Sequence, residues 1–158
     1  MKNELKQAFT LRLSQCNKGE MIVILYDIFF AYLDEAREAH AGGDHAGYKE
    51  GIRRANATLE RLIGDLDHKY ELSHNLHHLY IYCRNELSKA LYENKTDRID
   101  GAEQIMRRLY TSFVEVARQD TSAPLMCNTQ KVYAGITYGR MSINENLMDQ
   151  TASRGFYA

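Results

Sequence analysis

Residues Met21 to Leu33 read MIVILYDIFFAYL, a run that is apolar on almost every side of an α-helix. With about 100° between successive residues, one face of this helix carries Met21, Leu25, Ile28, Phe29, Tyr32 and Ala36. A second stripe, more than a quarter turn away, carries Val23, Tyr26, Phe30 and Leu33. A helix packed on one core needs a single apolar stripe. Two stripes therefore predict two partners, the protein's own core and something that covers the far side, which is more typical of a binding protein than of an enzyme.

Composition and charge are those of a soluble globular protein of one domain. The chain has 158 residues, of which 44% are hydrophobic and 26% are charged, and these are ordinary values. Its 20 Lys and Arg residues against 21 Asp and Glu residues leave no basic excess for binding nucleic acid. The N-terminal residues lack the apolar core of a secretory signal, and the apolar run is shorter than the roughly 20 residues that span a bilayer. We therefore expect a cytoplasmic protein with no nucleic-acid or membrane partner.

Four amphipathic segments with start and stop signals follow one another. They begin at or near Asn17, Asp44, Ser73 and Thr96 or Asp97. The first opens with a capping box, in which Glu20 stands three positions after Asn17, and it ends at Gly42-Gly43, where glycine favours the conformation that closes a helix. Because the connections are short, successive helices should run antiparallel. The sequence predicts an all-α fold: an antiparallel up-down four-helix bundle over residues 17–120.

Two pieces lie outside the predicted bundle. Residues 1–16 form an N-terminal arm in which Phe9, Leu11 and Leu13 are spaced by two, and residues 121–158 form a C-terminal tail. The tail is rich in aromatic residues, whereas disorder favours low hydrophobicity and high charge. A bundle that presents apolar grooves to a partner must hide them when it is alone. We therefore expect part of the tail, residues 132–148, to lie along the bundle.

The histidines His68, His74, His77 and His78 are the strongest candidates for chemistry. Glu71-Leu72-Ser73-His74 has the Glu-x-x-His spacing that, in two copies with further glutamates, holds a di-metal site in ferritin-like bundles. Here the motif occurs once, and the predicted core stripes of the other helices offer no inward carboxylate to complete it. His74 and His78, at i and i+4, could still bind a metal at the surface. We expect solvated histidines and no metal, with a metal-binding or enzymatic bundle as the alternative.

Other signs of catalysis or redox chemistry are weak. The sequence has no nucleophile elbow, no Walker loop and no dinucleotide-binding glycine motif. Its cysteines, Cys16, Cys83 and Cys127, have no CxxC spacing and are expected to be free thiols in a reducing compartment. We predict no catalytic residues, no cofactor and no enzymatic activity.

Apolar residues that lie off the main stripes indicate a surface for a partner. Several apolar residues on one stripe form a patch, whereas isolated ones need no explanation. The predicted partner-binding residues are Val23, Tyr26, Phe30, Leu33, Tyr80, Ile81, Leu91, Tyr110 and Val114. Two alternatives remain open. The stripe could be the interface of a self-associating bundle, such as a weak homodimer, or a wide core face covered by the protein's own arm or tail.

The motifs resemble those of the FliS family of flagellar export chaperones. Leu25-Tyr26-Asp27 followed by Ala36 is similar to that family's first helix, and Ile52-x-x-Ala55 through Leu62 and Leu66-Asp67 to its second. Asn75-Leu76-x-x-Leu79-Tyr80-x-Tyr82, then Leu87 and Ala90, resembles its third helix. The resemblance covers residues 17–117 in order. The chain differs in having Asn17-Lys18-Gly19-Glu20 where the family usually has Ser/Thr-Pro, and in continuing well beyond the fourth helix.

This resemblance implies a function. Members of the family are cytoplasmic four-helix bundles that bind the disordered C-terminal segment of flagellin, prevent its premature polymerisation and deliver it to the flagellar export gate. The bound segment lays short helices into apolar grooves, the recognition mode in which a disordered chain becomes ordered on contact. The resemblance thus implies flagellin and the export gate as partners.

Overall fold

The computed structural model describes residues 3–126, which contain five α-helices and no strand. The helices are α1 (Asn3–Gln15), α2 (Lys18–Ala41), α3 (His45–Gly64), α4 (Glu71–Glu93) and α5 (Asp97–Gln119). The all-α prediction is confirmed over this range, and α2 to α5 are the four predicted segments. The residues predicted as an arm form the additional helix α1. The prediction for residues 132–148 lies outside the described residues.

Local side-chain chemistry sets the ends of α2 as the sequence predicts. The Glu20 amide donates a hydrogen bond to Asn17 Oδ1 at 2.8 Å, and the Asn17 amide donates to Glu20 Oε2 at 3.0 Å. This reciprocal capping box satisfies amides that would otherwise lack partners at the helix start. Beyond the last residue, Ala41, the chain turns through Gly43, whose φ of 72° lies in the left-handed region that glycine adopts without strain.

Helices α2 to α5 enclose the main core. Helix α2 packs on α3 and on α5, and α4 completes the arrangement by packing on α3 and α5. Tyr26 of α2 lies against Phe113 of α5, with ring centres 5.5 Å apart, while Arg37 bonds Asp100 at 2.6 Å. Because a later residue of α2 meets an earlier residue of α5, these two helices run antiparallel. The largest side chains enclosed between these helices are Tyr26, Phe29, Leu33, Tyr48, Ile52, Leu59, Tyr80, Leu87, Ile99 and Met106.

The contact between α2 and α3 depends on a glycine. A Cβ atom added to Gly51 would lie 2.9 Å from the Cβ of Ala36 and 3.0 Å from its backbone nitrogen. Both distances are shorter than a normal carbon contact, so the two helix backbones approach as closely as they do because neither residue is large. None of the helices between Asn3 and Gln119 is long and apolar enough to cross a membrane.

A hydrogen bond between two tyrosines crosses the core. The hydroxyl oxygens of Tyr26 on α2 and Tyr80 on α4 lie 2.7 Å apart, and both side chains are buried. The ring of Tyr26 also lies within 6.0 Å of the ring of Tyr110. A buried hydroxyl without a hydrogen-bond partner is costly, and here each hydroxyl is the partner of the other. The bond also joins α2 to α4, two helices that do not follow one another in the chain.

Removing one of these hydroxyls should cost more than removing both. In Tyr80→Phe, the hydroxyl of Tyr26 stays buried without its partner, and we expect the free energy of unfolding to fall by about 1–3 kcal/mol. In the double variant Tyr26→Phe/Tyr80→Phe no orphaned hydroxyl remains, so stability should return close to that of the wild type. Urea denaturation followed by circular dichroism measures both. A double variant less stable than either single variant would contradict this account.

The same pair predicts a loss of stability at alkaline pH. Burial raises the pKa of Tyr80 from its usual 10.0 to about 12, and burial also raises the pKa of Tyr26. The folded state therefore favours the neutral hydroxyls, so this stabilisation is fully present below pH 10.0 and is lost as pH rises through 12. We expect the free energy of unfolding of the wild type to fall more steeply over that window than that of the double phenylalanine variant. Parallel curves for the two proteins would show that the tyrosines do not titrate in this way.

Candidate functional site

The structure divides the nine predicted partner-binding residues into two groups. Tyr26, Phe30, Leu33 and Tyr80 belong to the main core, and none of them is more than 8% exposed. The prediction that they form an exposed surface is therefore wrong. The physical reason is that α2 packs on α3 and on α5 at once, so its core face is wide enough to include most of the second stripe. The half-buried residues are Val23, Ile81, Leu91, Tyr110 and Val114.

Helix α1 covers another face of α2. Phe9, Cys16 and Ile24 form a small buried cluster, separate from the main core, and Met21 and Ile28 of α2 pack against it. Because the segment is helical, Phe9 faces α2 whereas Leu11, two positions on, is exposed. The protein's own N-terminal helix therefore covers residues of the first apolar face, Met21 and Ile28, whereas most of the second stripe lies in the main core.

A cavity of about 450 Å³ lies between α1, α2 and α5. It brings together Val23 of α2 and Val114 of α5, two of the residues predicted to bind a partner. Its lining residues are Arg12, Gln15, Cys16, Glu20, Val23, Ile24, Val114, Ala117 and Arg118. Tyr110 lies one turn of α5 before Val114, whereas Ile81 and Leu91 are on α4 and do not line this cavity.

A set of hydrogen bonds holds α5 against the start of α2 at one end of the cavity. The Asn17 side chain donates to the Asp120 carbonyl oxygen at 3.0 Å, and the Gly19 amide donates to Asp120 Oδ2 at 3.0 Å. Hydrogen bonds from Ser122 and from Gly19 hold the pKa of the Asp120 carboxyl below its usual range. A Cβ atom on Gly19 would lie 2.9 Å from Asp120 Oδ2, so this contact needs a glycine. We call these residues, Asn17, Gly19 and Asp120, the clasp.

Charged side chains lie along the other end of the cavity. Arg12 of α1 pairs with Asp27 of α2 at 2.8 Å, and burial together with a hydrogen bond to Asp27 raises the pKa of Tyr110. Further along, the guanidinium carbon of Arg107 lies 4.6 Å from the centre of the Phe30 ring, a distance at which a cation is attracted to the face of an aromatic ring. Arg107 thus covers Phe30, which explains why this aromatic residue is buried at the edge of the core.

The histidines lie at the other predicted site. The ring of His68 is 5.7 Å from the ring of His74 and 5.7 Å from that of His77. Even so, among residues 3–126 no group of three or more His, Cys, Asp or Glu side chains is arranged to hold a metal ion. Cys16 and Cys83 are free thiols as predicted, and both are buried, while Cys127 lies outside the described residues. Among the described residues, the cavity between α1, α2 and α5 is therefore the candidate site.

Several residues of the cavity could not be found from the sequence. Arg12, Gln15 and Cys16 come from the segment predicted as an arm, and Ala117 and Arg118 from the last turn of α5. One signal could have indicated that this segment is a helix with an apolar face. Phe9 and Leu13 stand at i and i+4, the spacing at which two residues share one helix face.

Over the described residues the protein is therefore an all-helical protein with a partly apolar cavity between α1, α2 and α5. The sequence profile described as "Flagellar protein FliS" matches residues 1–120 of the 158 residues, so the chain belongs to the FliS family, whose members are flagellar export chaperones. A search among curated proteins gave no match.

The packing of α1 on α2 can be tested with Phe9. Phe9→Ala removes the main buried side chain of α1, and because this cluster is separate from the main core, we expect α1 to lose amide protection while α2 to α5 keep theirs. Hydrogen exchange read by mass spectrometry measures this helix by helix. Leu11→Ala, at an exposed position of α1, is the matched control. An equal loss of protection in all helices would show that α1 is part of one cooperative unit with the bundle.

Proposed function

We propose that the protein is a cytoplasmic export chaperone that binds the disordered C-terminal segment of flagellin, prevents its premature polymerisation and aids its delivery to the flagellar export apparatus. The observation that carries the proposal is the cavity between α1, α2 and α5, which opens beside Val23 and Val114 in a chain of the FliS family. The antiparallel up-down order of α2 to α5 is part of the proposal, and the short connections between these helices support it.

The dimensions and lining of the cavity suit an apolar side chain presented by a helix. Its volume of about 450 Å³ falls within the range of about 300–1,000 Å³ that is typical of ligand sites. Val23, Ile24, Val114 and Ala117 provide apolar surface, and an anchor residue inserted among them would leave water. A disordered segment that binds in this way gains apolar contacts that offset the loss of its conformational entropy.

Aromatic residues of α2 and α5, two of the helices that line the cavity, pack against one another in the main core. Tyr26 is held by its hydrogen bond to Tyr80, and its ring lies 5.5 Å from the ring of Phe113. Side chains that are already held in place by packing lose little conformational entropy when a ligand binds, and this favours affinity. The proposed contact residues are Val23, Tyr110 and Val114. Ile81 and Leu91 on α4 remain predicted contacts for another part of the same flagellin segment.

The proposed activity needs no catalysis and no cofactor. A chaperone of this kind acts by occupying the segment through which flagellin would polymerise, so its effect follows from binding alone. The complex must also dissociate at the export apparatus. An open binding surface allows this more readily than a deeply enclosed site.

A charge placed in the cavity should weaken binding, whereas the same charge placed two residues away should not. Val114→Asp puts a carboxylate among the apolar lining residues, where its desolvation opposes the entry of an apolar anchor. Val116→Asp, at a position that is 60% exposed on the same helix, is the matched control. We expect the affinity for a labelled flagellin C-terminal peptide to fall at least about tenfold, equivalent to about 1.4 kcal/mol, for Val114→Asp alone.

The folded state of both variants should be checked by cooperative melting in the same buffer. Equal binding by Val114→Asp and wild-type protein, with both folded, would place the flagellin site elsewhere on the bundle. Failure of wild-type protein to bind the peptide would contradict the proposed function. If Val114→Asp instead changed the oligomeric state seen in light scattering, the cavity would be an interface between copies of the chain.

A further inference from the structure

Two cationic side chains and one carboxylate line the cavity between α1, α2 and α5. Among its nine lining residues, all in the described part of the chain, Arg12 and Arg118 bear guanidinium groups and Glu20 bears the one carboxylate. One oxygen of Glu20 already accepts the hydrogen bond from the Asn17 amide that caps α2. That carboxylate therefore serves the start of α2, and the two arginines are the cationic groups of the lining.

Both arginines remain accessible to an incoming group. The side chain of Arg118 is 73% exposed and that of Arg12 is 48% exposed. Arg118 pairs with Glu115 one turn away at 3.5 Å, and Arg12 pairs with Asp27 at 2.8 Å. Ion pairs with this much contact with water hold their partners weakly. A guanidinium has five N–H donors, so each arginine can bond a further carboxylate without giving up the first.

The backbones of the two arginines lie at different levels along the cavity. Ala117, next to Arg118, is level with the start of α2, because a Cβ atom on Gly19 would lie 3.2 Å from the Ala117 Cα. Arg12 is level with Asp27, its ion-pair partner. From Gly19 to Asp27 the axis of α2 rises about 12 Å at about 1.5 Å per residue. Val23 stands midway between these two levels, with Val114 opposite it on α5.

We propose that this cavity selects a helical segment in which an aliphatic anchor is flanked by carboxylates one turn before it and one turn after it. On such a helix, residues i−4 and i+4 are separated by about 12 Å along the axis, the same rise that separates the levels of the two arginines. The anchor enters between Val23 and Val114 while one carboxylate meets Arg12 and the other meets Arg118. This inference rests on the proposed function, since it specifies the chemistry of the segment that the same site binds.

Three synthetic helical peptides test the proposal. Each carries one leucine anchor on a polar, alanine-rich helix, with either Glu, Gln or Lys at both i−4 and i+4, so that the direction in which the peptide binds does not matter. Fluorescence anisotropy gives the affinity of each labelled peptide for the full-length protein. We expect the Glu peptide to bind about three- to tenfold more tightly than the Gln peptide, as two exposed ion pairs allow, and the Lys peptide to bind most weakly. The Glu preference should shrink as salt is added.

A charge-reversal variant then assigns the preference to the cavity. In Arg118→Glu, one end of the site attracts a carboxylate and the other repels it, so the ratio of Glu-peptide to Gln-peptide affinity should fall to about one. Arg53→Glu is the matched control, because Arg53 is 77% exposed and lies on α3, which does not line the cavity. Its ratio should equal that of the wild type.

The outcomes separate this inference from the proposed function. Equal affinity of the Glu and Gln peptides for wild-type protein would overturn the inference and leave flagellin binding untouched. A Glu preference that survives in Arg118→Glu, or falls equally in Arg53→Glu, would overturn the assignment to the cavity. If neither these peptides nor a flagellin C-terminal peptide bound the wild type, both the inference and the proposed function would be wrong.

Discussion

Helix α2 is apolar around most of its circumference, and the free-energy cost of leaving that surface in water dictates much of the structure. The other helices satisfy this constraint in turn. Helices α3 and α5 pack on the two sides of its core face, and α1 folds back over part of the remainder. The cavity occurs where this covering is incomplete, between α1 and α5 beside Val23. The candidate site is thus the gap that the protein's own helices leave in covering one unusually apolar helix.

The bonded tyrosines explain two of the motifs that relate the chain to its family. Tyr26 belongs to the Leu25-Tyr26-Asp27 motif, and Tyr80 belongs to the Leu79-Tyr80-x-Tyr82 motif. Their hydroxyls meet in the core at 2.7 Å, while Asp27, the next residue of the first motif, faces outward and pairs with Arg12. One short motif therefore contributes a residue to the protein core and another to the rim of the cavity. A change in this motif would affect folding and binding together.

The sequence predicts the parts of this structure that depend on neighbouring residues. The capping box at Asn17, the end of α2 near Gly43 and the helical class of all four main segments follow from local chemistry. The choice between core and surface for Tyr26 and Phe30 does not, because a helical wheel gives the direction of each side chain but not which helix lies there. Helix α1 also escapes prediction, since a short and weakly amphipathic helix owes its stability mainly to what it packs against. Arg12 and Arg118 line one cavity although more than 100 residues separate them, and a single sequence offers no signal of that proximity.

The clasp has a topological consequence for the helices that it joins. Asn17 and Gly19 at the start of α2 bond Asp120 at the end of α5, so the backbone from 17 to 120 forms a ring closed by hydrogen bonds instead of a covalent bond. Such a ring could be opened at any one of its loops. The order of the helices along the chain would change, but the helices that pack together would stay the same. A chain that began at the turn of Gly42-Gly43, with residue 120 joined to residue 17, would keep the same neighbours among α2 to α5. In that rearranged chain α1 would have to be left out or attached elsewhere.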